Sequence, residues 1–325
     1  MTILSPLLEV DSLTVDYQTR RGDIRAVDDV SFTMEKGEML GLVGESGSGK
    51  STLGLSIMRL VPYPGVIRNG HIKIDGTDIT NLAEEKMQSL RGRRITFVFQ
   101  DPMTSLSPVK KIGDHFTEFI LTHEPETGKE EAFERAKCTL SDVGILPERI
   151  NDYPHQFSGG MRQRIMIALA IVLNPELVIA DEPTTALDVI VQAKILDLLK
   201  SLRDTYGMAR ILITHDLSIV LERCDRILVM YAGSLVEYAD SRELYANPGH
   251  PYTQRLLQSI PNVELTDQRL EAIPGSPPDL LSLPRGCSFF PRCLCAKEKC
   301  GLEKPPLVEL RPGHFVRCFK ENSQP

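Results

Sequence analysis

The segment Gly44-Glu45-Ser46-Gly47-Ser48-Gly49-Lys50-Ser51 decides the fold of this chain. It matches the phosphate-loop pattern G-x-x-x-x-G-K-[ST], and it lies between the apolar run Met39 to Val43 and the helix-like stretch Thr52 to Leu60. Glycines let consecutive backbone N–H groups face phosphate oxygens at a helix N-terminus. We expect Lys50 to reach the β- and γ-phosphates and the Ser51 hydroxyl to bind Mg²⁺. The segment therefore predicts a nucleoside triphosphate site.

Strands and helices alternate around this loop. The hydrophobic pattern predicts strands at Leu8 to Tyr17, Ile95 to Phe99, Leu177 to Ala180 and Ile211 to Ile213, a hairpin at 227–238 turning at Ala232-Gly233, and helices at 161–173 and 189–203. This alternation predicts an α/β fold with a mainly parallel sheet. Residues 103–157 contain the amphipathic stretch Glu130 to Val143 but no convincing strand, so they are interpreted as a helical insertion.

Composition restricts the class of protein. The 325 residues include 37 basic and 44 acidic side chains, a net charge of −7, which disfavours a broad nucleic-acid surface. The longest uninterrupted apolar run, Ile165 to Leu173, is much shorter than the ~20 residues of a membrane span. No signal peptide is evident at the N-terminus. We therefore expect a cytoplasmic protein.

A pair of carboxylates follows the strand Leu177 to Ala180. Asp181 and Glu182 stand at its carboxyl end, where open α/β sheets bind ligands. Asp181 is expected to hold Mg²⁺ through water, and Glu182 to orient or deprotonate the attacking water. An Asp-Glu pair alone is more often a solvated turn, but the phosphate loop favours the Walker B interpretation.

Ser158-Gly159-Gly160-Met161-Arg162-Gln163-Arg164 resembles the signature sequence of ATP-binding cassette (ABC) ATPases. The resemblance implies a RecA-like P-loop core with an N-terminal antiparallel β subdomain, within a nucleotide-binding domain at 1–244 whose helical subdomain covers approximately 103–160. It also implies that Ser158, Gly159, Gly160 and Asp188 act on ATP held by a second cassette. Met161 stands where the family usually has glutamine, which favours a non-identical partner.

The same resemblance assigns the remaining site residues. Tyr17 is implied to stack on adenine, Gln100 to contact Mg²⁺ and water, and His215 to contact the γ-phosphate. The implied catalytic residues are Glu182, His215 and Gln100, and the implied Mg²⁺ ligands are Ser51, Gln100 and Asp181. The implied ATP-binding residues of the chain's own site are Tyr17, Gly44, Ser46, Gly47, Ser48, Gly49, Lys50, Ser51 and Thr52.

Cysteines are concentrated near the C-terminus, in a stretch 245–325 that contains 12 of the 22 prolines and is expected to be a loop-rich extension. In a cytosolic chain such clustering indicates metal before disulfides. Cys287, Cys293, Cys300 and Cys318 resemble the extension of dipeptide and oligopeptide importer ATPases of the DppD/OppD type, which implies a [4Fe–4S] cluster. Zn²⁺ is the alternative, and Cys295 is a spare or rival ligand. Arg285, Arg292 and Arg317 are expected to face thiolates or solvent, and Cys138 and Cys224 to be buried.

The resemblance implies an ATPase that energises the import of dipeptides or oligopeptides from the cytoplasmic side of the membrane, as a peripheral subunit. Its implied partners are a second cassette of the DppF/OppF type or a second copy, two transmembrane permease subunits and, indirectly, an extracytoplasmic peptide-binding protein, with no nucleic acid. A DNA-repair ABC ATPase with a cysteine-bound zinc, and an importer for nickel or another solute, are the alternatives. A structural staple is favoured over a redox-regulatory role for the cluster.

Overall fold

The computed structural model describes residues 5–101, 105–185, 187–260 and 273–319, which divide into two compact units. The first unit contains the residues up to 34, residues 39–80 and the residues from 212 onward, and the second contains 35–38 and 81–211. The predicted domain boundary after residue 244 lies within the first unit and stays a prediction.

The described part of the chain contains the following regular elements. The strands are β1 (Leu8–Thr19), β2 (Gly22–Met34), β3 (Met39–Val43), β4 (Gly65–Ile74), β5 (Thr77–Asp78), β6 (Ile95–Val98), β7 (Leu177–Asp181), β8 (Ala209–Thr214), β9 (Arg226–Tyr231), β10 (Ser234–Asp240), β11 (Val308–Arg311) and β12 (His314–Val316). The helices are α1 (Lys50–Ile57), α2 (Glu84–Leu90), α3 (Ile112–His123), α4 (Lys129–Asp142), α5 (Gly159–Ile171), α6 (Val189–Tyr206), α7 (Leu217–Arg223), α8 (Ser241–Ala246), α9 (Pro251–Gln258) and α10 (Glu298–Leu302).

The first unit begins with an antiparallel sheet in the order β2-β1-β4-β5. Leu8 pairs with Met34 of β2 on one side and with Ile74 of β4 on the other. Leu8, Val10, Leu13 and Val15 of β1 are buried as expected and Tyr17 is half-buried, but the alternation is interrupted where the register shifts, so that Thr14 and Asp16 are buried as well. The predicted N-terminal antiparallel subdomain is therefore confirmed.

A second group of strands in the first unit is built around the β9–β10 hairpin. Its turn residues Ala232 and Gly233 both have positive φ, 46° and 82°, the conformation that suits a two-residue hairpin. Strand β3 runs parallel to β9, and β12 pairs antiparallel with β10 through Glu237 and Val316. The C-terminal region thus contributes strands and is not only loops, which refines the expectation of a loop-rich extension.

The second unit combines the parallel pair β6–β7 with the helices α3 to α6. Helix α4 buries Ala132, Ala136 and Leu140, which share one face at helical spacing. Cys138 lies off this face and is exposed, so the expectation that it is buried was wrong, whereas Cys224 is buried as expected. The fold is α/β, and helices α3 and α4 lie within residues 103–157, whereas the bounds of a helical subdomain stay a prediction.

Among the described residues, no helix combines the length and the apolar character that crossing a bilayer requires.

Candidate functional site

The phosphate-loop segment of the first unit joins β3 to α1, as the sequence predicts. Gly44, Gly47 and Gly49 have φ of +154°, +77° and +100°, which L side chains rarely adopt. A Cβ atom on Gly44 would lie 2.2 Å from the Met230 carbonyl oxygen, and one on Gly49 would lie 2.1 Å from that of Ala26. Glycine is therefore required at both ends of the loop, where it packs against the backbones of β9 and β2.

Lys50 opens α1 and folds its side chain back over the loop. It is 5% exposed, and its Nζ donates hydrogen bonds to the carbonyl oxygens of Gly44 at 2.8 Å and Glu45 at 3.0 Å. Ser51 follows as an exposed residue in the first turn of the helix. A buried ammonium beside a helix N-terminus favours an anion with several negative charges, such as a nucleotide phosphate.

Other predicted site residues of the first unit lie on the loop, in α1, in β1 and directly after β8. Ser46 is exposed, whereas Ser48 is buried. The Tyr17 hydroxyl lies 3.5 Å from Thr52 Oγ1, which links the end of β1 to α1. His215 follows β8 directly and is exposed. The structure gives these positions, and the assignment of adenine stacking to Tyr17 and of γ-phosphate contact to His215 stays a prediction.

The second unit brings two predicted catalytic residues together at the carboxyl ends of β6 and β7. Gln100 Nε2 donates to Glu182 Oε2 at 3.0 Å, and the Thr185 hydroxyl donates to the same oxygen at 2.8 Å. Glu182 has a φ of +44°, an uncommon conformation for a residue other than glycine. Asp181 ends β7 and is 7% exposed. Sequence reasoning missed Thr185, although a hydroxyl three residues after the carboxylate is a signal for a local hydrogen bond.

The predicted signature segment forms the N-terminus of α5. Ser158 is the N-cap residue, and its Oγ accepts a hydrogen bond from the Met161 backbone N–H at 3.4 Å. Gly159 and Gly160 occupy the first turn, and a Cβ on Gly160 would lie 2.5 Å from Val191 Cγ1 in α6. Glycine thus permits close approach of α6 to this helix end.

Asp188 caps α6 in the same unit. Its Oδ1 accepts a hydrogen bond from the Val191 backbone N–H at 2.9 Å. Gln192 Nε2 donates to the carbonyl oxygen of Leu187 at 3.0 Å and braces the segment before the helix. Ala186, which belongs to the predicted D-loop, lies outside the described residues. The cap function of Asp188 is observed, and its action across a dimer stays a prediction.

The four predicted cluster ligands line one small cavity of about 20 Å³ in the first unit, together with Cys295, Phe289 and Phe290. The Cys287 backbone N–H donates to the Cys300 carbonyl oxygen at 2.7 Å, and burial raises the pKa of the Cys287 thiol. None of the four cysteines forms a disulfide, and four cysteine thiolates are the donor set that an iron–sulfur cluster uses. Among the described residues, however, no three potential ligands have an arrangement that could hold a metal ion. The cysteine ligation therefore stays a prediction.

Two of the arginines near the cysteines have other roles than expected. Arg292 is 6% exposed, and its guanidinium hydrogen-bonds both carboxylate oxygens of Glu45 in the phosphate loop, at 2.6 and 3.0 Å. Arg317 is 8% exposed and donates from Nε to the Leu235 carbonyl oxygen at 3.0 Å. The expectation that they face thiolates or solvent was wrong for both, whereas Arg285 is exposed. A single sequence offered no signal for the pairing of Arg292 with Glu45.

Comparison with known proteins identifies the class. Residues 27–185 match the family model described as ABC transporter. A dimeric ATP-binding cassette in a post-hydrolysis state, bound to ADP and phosphate, gives a TM-score of 0.64 at 29% identity over 72% of this chain and 99% of that one. CbiO1 from Clostridium perfringens, part of an ABC transporter complex, gives a TM-score of 0.64 at 26% identity and covers 74% of this chain and 91% of its own chain. The fold is that of an ABC cassette, and the chain is an ABC-type ATPase.

More similar relatives define the family. A second family model, described as the C-terminal region of the oligopeptide/dipeptide transporter, matches residues 236–300. The oligopeptide transport ATP-binding proteins OppD of Salmonella typhimurium and AppD of Bacillus subtilis are each 47% identical to 97% of this chain, which covers 93% and 97% of their lengths. The dipeptide transport ATP-binding protein DppD of Lactococcus lactis is 45% identical, and the matched region covers 96% of this chain and 90% of the length of DppD. The chain belongs to this family of oligopeptide and dipeptide ABC transporter ATP-binding subunits.

Proposed function

We propose that the chain hydrolyses ATP to energise the import of dipeptides or oligopeptides through a membrane transporter. The observation that carries this proposal is the buried Lys50 of the phosphate loop in a chain whose residues 236–300 match the oligopeptide/dipeptide C-terminal region. The names of the relatives above point to the same cargo. They give no support to a DNA-repair ATPase or to an importer for nickel.

The assignment of roles follows the motifs. Tyr17 stacks on the adenine of ATP, and the phosphates are bound by Gly44, Ser46, Gly47, Ser48, Gly49, Lys50, Ser51 and Thr52. Ser51, Gln100 and Asp181 hold Mg²⁺, and His215 contacts the γ-phosphate. A bound Mg²⁺ would neutralise charge on the β- and γ-phosphates. The chain's own residues then have to orient the attacking water.

Glu182 is the residue that we propose for this task. The hydrogen bonds from Gln100 and Thr185 to its Oε2 fix the rotation of the carboxylate, so a water that donates to Glu182 is held in one direction. A carboxylate in this position can also accept the proton as the water attacks. The positive φ of Glu182 supports a functional role, because such a conformation is retained where the surroundings impose it.

Partners are part of the same proposal. A second cassette, of the DppF/OppF type or a second copy of this chain, binds ATP against Ser158, Gly159, Gly160 and Asp188. The dimeric state of the similar cassette supports such pairing. Two permease subunits hold the cassettes at the cytoplasmic side of the membrane as peripheral subunits, and an extracytoplasmic peptide-binding protein delivers the cargo.

We further propose that Cys287, Cys293, Cys300 and Cys318 bind an iron–sulfur cluster of the [4Fe–4S] type, with Zn²⁺ as the alternative. The position of the four cysteines on one shared cavity supports this proposal, because a cluster of this type is held by four cysteine thiolates. Iron, acid-labile sulfide and zinc per polypeptide, measured after purification without oxygen, test it. Cys293→Ser should lower the bound iron, whereas Cys138→Ser, at an exposed thiol in another unit, should not. Protein with neither iron nor zinc in stoichiometric amount would contradict the proposal.

The ATPase assignment is tested with Glu182→Gln in the assembled transporter. The amide cannot accept a proton, so we expect ATP turnover to fall by about 10² to 10⁴-fold while ATP binding is retained. Glu222→Gln is the matched control, because Glu222 is a largely exposed glutamate of α7, and this variant should keep wild-type turnover. Undiminished turnover by Glu182→Gln would remove Glu182 from its proposed role.

A further inference from the structure

Two residues of the C-terminal region, Tyr252 and Arg292, form hydrogen bonds with Glu45 of the phosphate loop. The Glu45 backbone N–H donates to the Tyr252 hydroxyl at 2.9 Å. The Glu45 carboxylate accepts two hydrogen bonds from the Arg292 guanidinium, Nη1 to Oε2 at 2.6 Å and Nη2 to Oε1 at 3.0 Å. Glu45 is therefore fixed through both its main chain and its side chain by residues more than 200 positions later in the sequence.

The ion pair is well shielded from solvent. The Arg292 side chain is 4% exposed and that of Glu45 is 25% exposed. Arg292 also donates from Nε to the Pro274 carbonyl oxygen at 2.8 Å and from Nη1 to the Tyr231 hydroxyl at 3.2 Å. A bidentate arginine–carboxylate pair whose arginine forms further hydrogen bonds has a defined geometry, unlike a surface ion pair. The hydrogen bond to Glu45 contributes most to holding the pKa of Arg292 above its usual range.

The residues around this pair form an aromatic cluster. The rings of Tyr231, Tyr252 and Phe289 are packed with centroid separations of 4.7, 5.2 and 5.4 Å. Phe289 and Tyr252 are 2% and 0% exposed. Because Arg292 follows Phe289 by three residues, this packing fixes the direction in which its guanidinium reaches the loop. The segment that presents the arginine is thus rigidly supported.

Glu45 in turn shapes the phosphate-binding part of the loop. Its carbonyl oxygen accepts hydrogen bonds from Lys50 Nζ at 3.0 Å and from the Ser48 backbone N–H at 3.2 Å. The neighbouring Gly44 carbonyl oxygen accepts from the same Lys50 Nζ at 2.8 Å. A displacement of the Glu45 main chain therefore moves an acceptor that positions the lysine and the turn of the loop.

We propose that Arg292 is a positioning residue for the nucleotide site: through Glu45, it holds the phosphate loop in the shape that binds phosphate. This inference rests on the proposed ATP site at that loop. The cysteine-bearing segment, in which Cys293 is the next residue after Arg292, then determines nucleotide affinity as well as packing onto the rest of the first unit. A merely structural pair would instead contribute to the stability of the chain and leave the affinity unchanged.

The test measures MgATP and MgADP dissociation constants of the full chain, and KM and kcat of the assembled transporter, for Arg292→Gln, Glu45→Gln and the double variant. We expect each single variant to bind both nucleotides on the order of tenfold more weakly, with KM raised and kcat little changed. The double variant should bind no more weakly than either single one, because no buried charge is left without its partner. Arg292→Lys should restore part of the affinity, since it keeps the charge but loses the fork.

Two further variants keep the result interpretable. Tyr252→Phe removes only the hydroxyl that accepts the Glu45 N–H, and it should weaken binding without changing charge. Arg311→Gln is the matched control, because Arg311 pairs with Glu243 at an exposed position of the same region, and its affinity should equal that of the wild type. Thermal unfolding without nucleotide verifies that each variant is folded.

The outcomes separate the inference from the proposed function. Folded Arg292→Gln, Arg292→Lys and Tyr252→Phe chains with wild-type affinity would overturn the positioning role and leave the ATP site intact. If the double variant lost as much nucleotide affinity as the two single variants together, the positioning role would also be overturned. Independent effects would mean that Arg292 does not act through Glu45. A wild-type chain that binds no MgATP would overturn the ATP site itself, and the inference with it.

Discussion

His250 gives the C-terminal region a defined pH dependence. Its ring is 1% exposed, and Nδ1 accepts a hydrogen bond from the Tyr252 backbone N–H at 3.0 Å, so the neutral imidazole caps α9. Burial lowers the pKa of His250 from 6.5 to about 4, against a smaller opposing effect of the Glu237 charge. As pH falls below about 6.5, the unfolded chain takes up a proton that the folded chain does not, so stability is lost.

The size of this loss follows from the two pKa values. Between pH 7 and pH 5 the unfolded histidine becomes almost fully protonated while the folded one stays neutral. Linkage then removes about 2 kcal/mol from the free energy of unfolding over this interval. His314 acts in the opposite sense: burial alone would lower its pKa, but its hydrogen bond to Glu237 and the nearby carboxylate charges raise it. Its stabilisation is therefore present at low pH and lost as pH rises through the raised value.

The variant His250→Asn isolates the loss of stability that comes from the titration of His250. Asparagine can still accept the Tyr252 N–H as a helix cap, but it does not titrate. We expect a constant loss of stability from the missing contact with Phe289, whose ring centroid lies 5.8 Å from that of His250. On top of this, the stability difference between wild type and variant should narrow by about 2 kcal/mol from pH 7 to pH 5.

Guanidinium unfolding followed by far-ultraviolet circular dichroism measures this difference, since the chain contains no tryptophan to report by fluorescence. His314→Gln serves as the control, because it should remove the opposing dependence and make the loss of stability at low pH steeper relative to pH 7. A difference between wild type and His250→Asn that stays constant from pH 7 to pH 5 would refute the neutral, buried histidine.

Two more predictions concern the candidate site. Gly49→Ala places a Cβ 2.1 Å from a backbone oxygen of β2 and should lower the midpoint of thermal unfolding and abolish nucleotide binding, whereas Gly47→Ala meets no atom within 4 Å and should cost only about 1–3 kcal/mol for its positive φ. Nucleotide binding by folded Gly49→Ala would contradict this. Thr185→Val removes one donor from Glu182 Oε2 and should lower kcat several-fold with little change in KM, and an unchanged kcat in steady-state ATPase assays would speak against the bracing of Glu182.

The elements that contiguous motifs define could be predicted from the sequence. The strand–loop–helix around Lys50, the strand before Asp181 and the hairpin at Ala232-Gly233 all lie within two or three residues of their predicted positions. Helix α5 begins at Gly159, two residues before the predicted start, because Ser158 provides the cap. Local hydrogen bonds and periodicity determine these features, and both can be read from a short window.

Strands that depend on distant partners were not individually predicted. Strand β2 contains Asp28 and Asp29 in its middle, and Asp29 has a φ of +55°, so the alternation of apolar residues is interrupted there. Strand β4 has Asn69 and Gly70 at its centre, where a Cβ on the glycine would lie 2.6 Å from the backbone of β1. Strand β2 pairs with one edge of β1 and β4 with the other, and this pairing, not local propensity, makes these segments strands.

The surroundings of a charged residue were the least predictable feature of the site. Arg292 lies one residue before a cysteine, which suggested a thiolate or solvent environment, yet its partner Glu45 is 247 positions away. A burial pattern can be inferred from neighbouring residues, but an ion pair needs the position of both partners. For the same reason the hydrogen bond from Gln100 to Glu182 could be assigned only once β6 and β7 were known to be adjacent, whereas that from Thr185 is local.

The packing of the C-terminal region changes what its cysteines are needed for. A proline-rich extension with little core would depend on a metal for its folding energy. Instead, Tyr252 and Phe289 are buried in an aromatic cluster, β12 pairs with β10, and His314 hydrogen-bonds the buried Glu237. Such contacts stabilise the region without any ligand at the thiols.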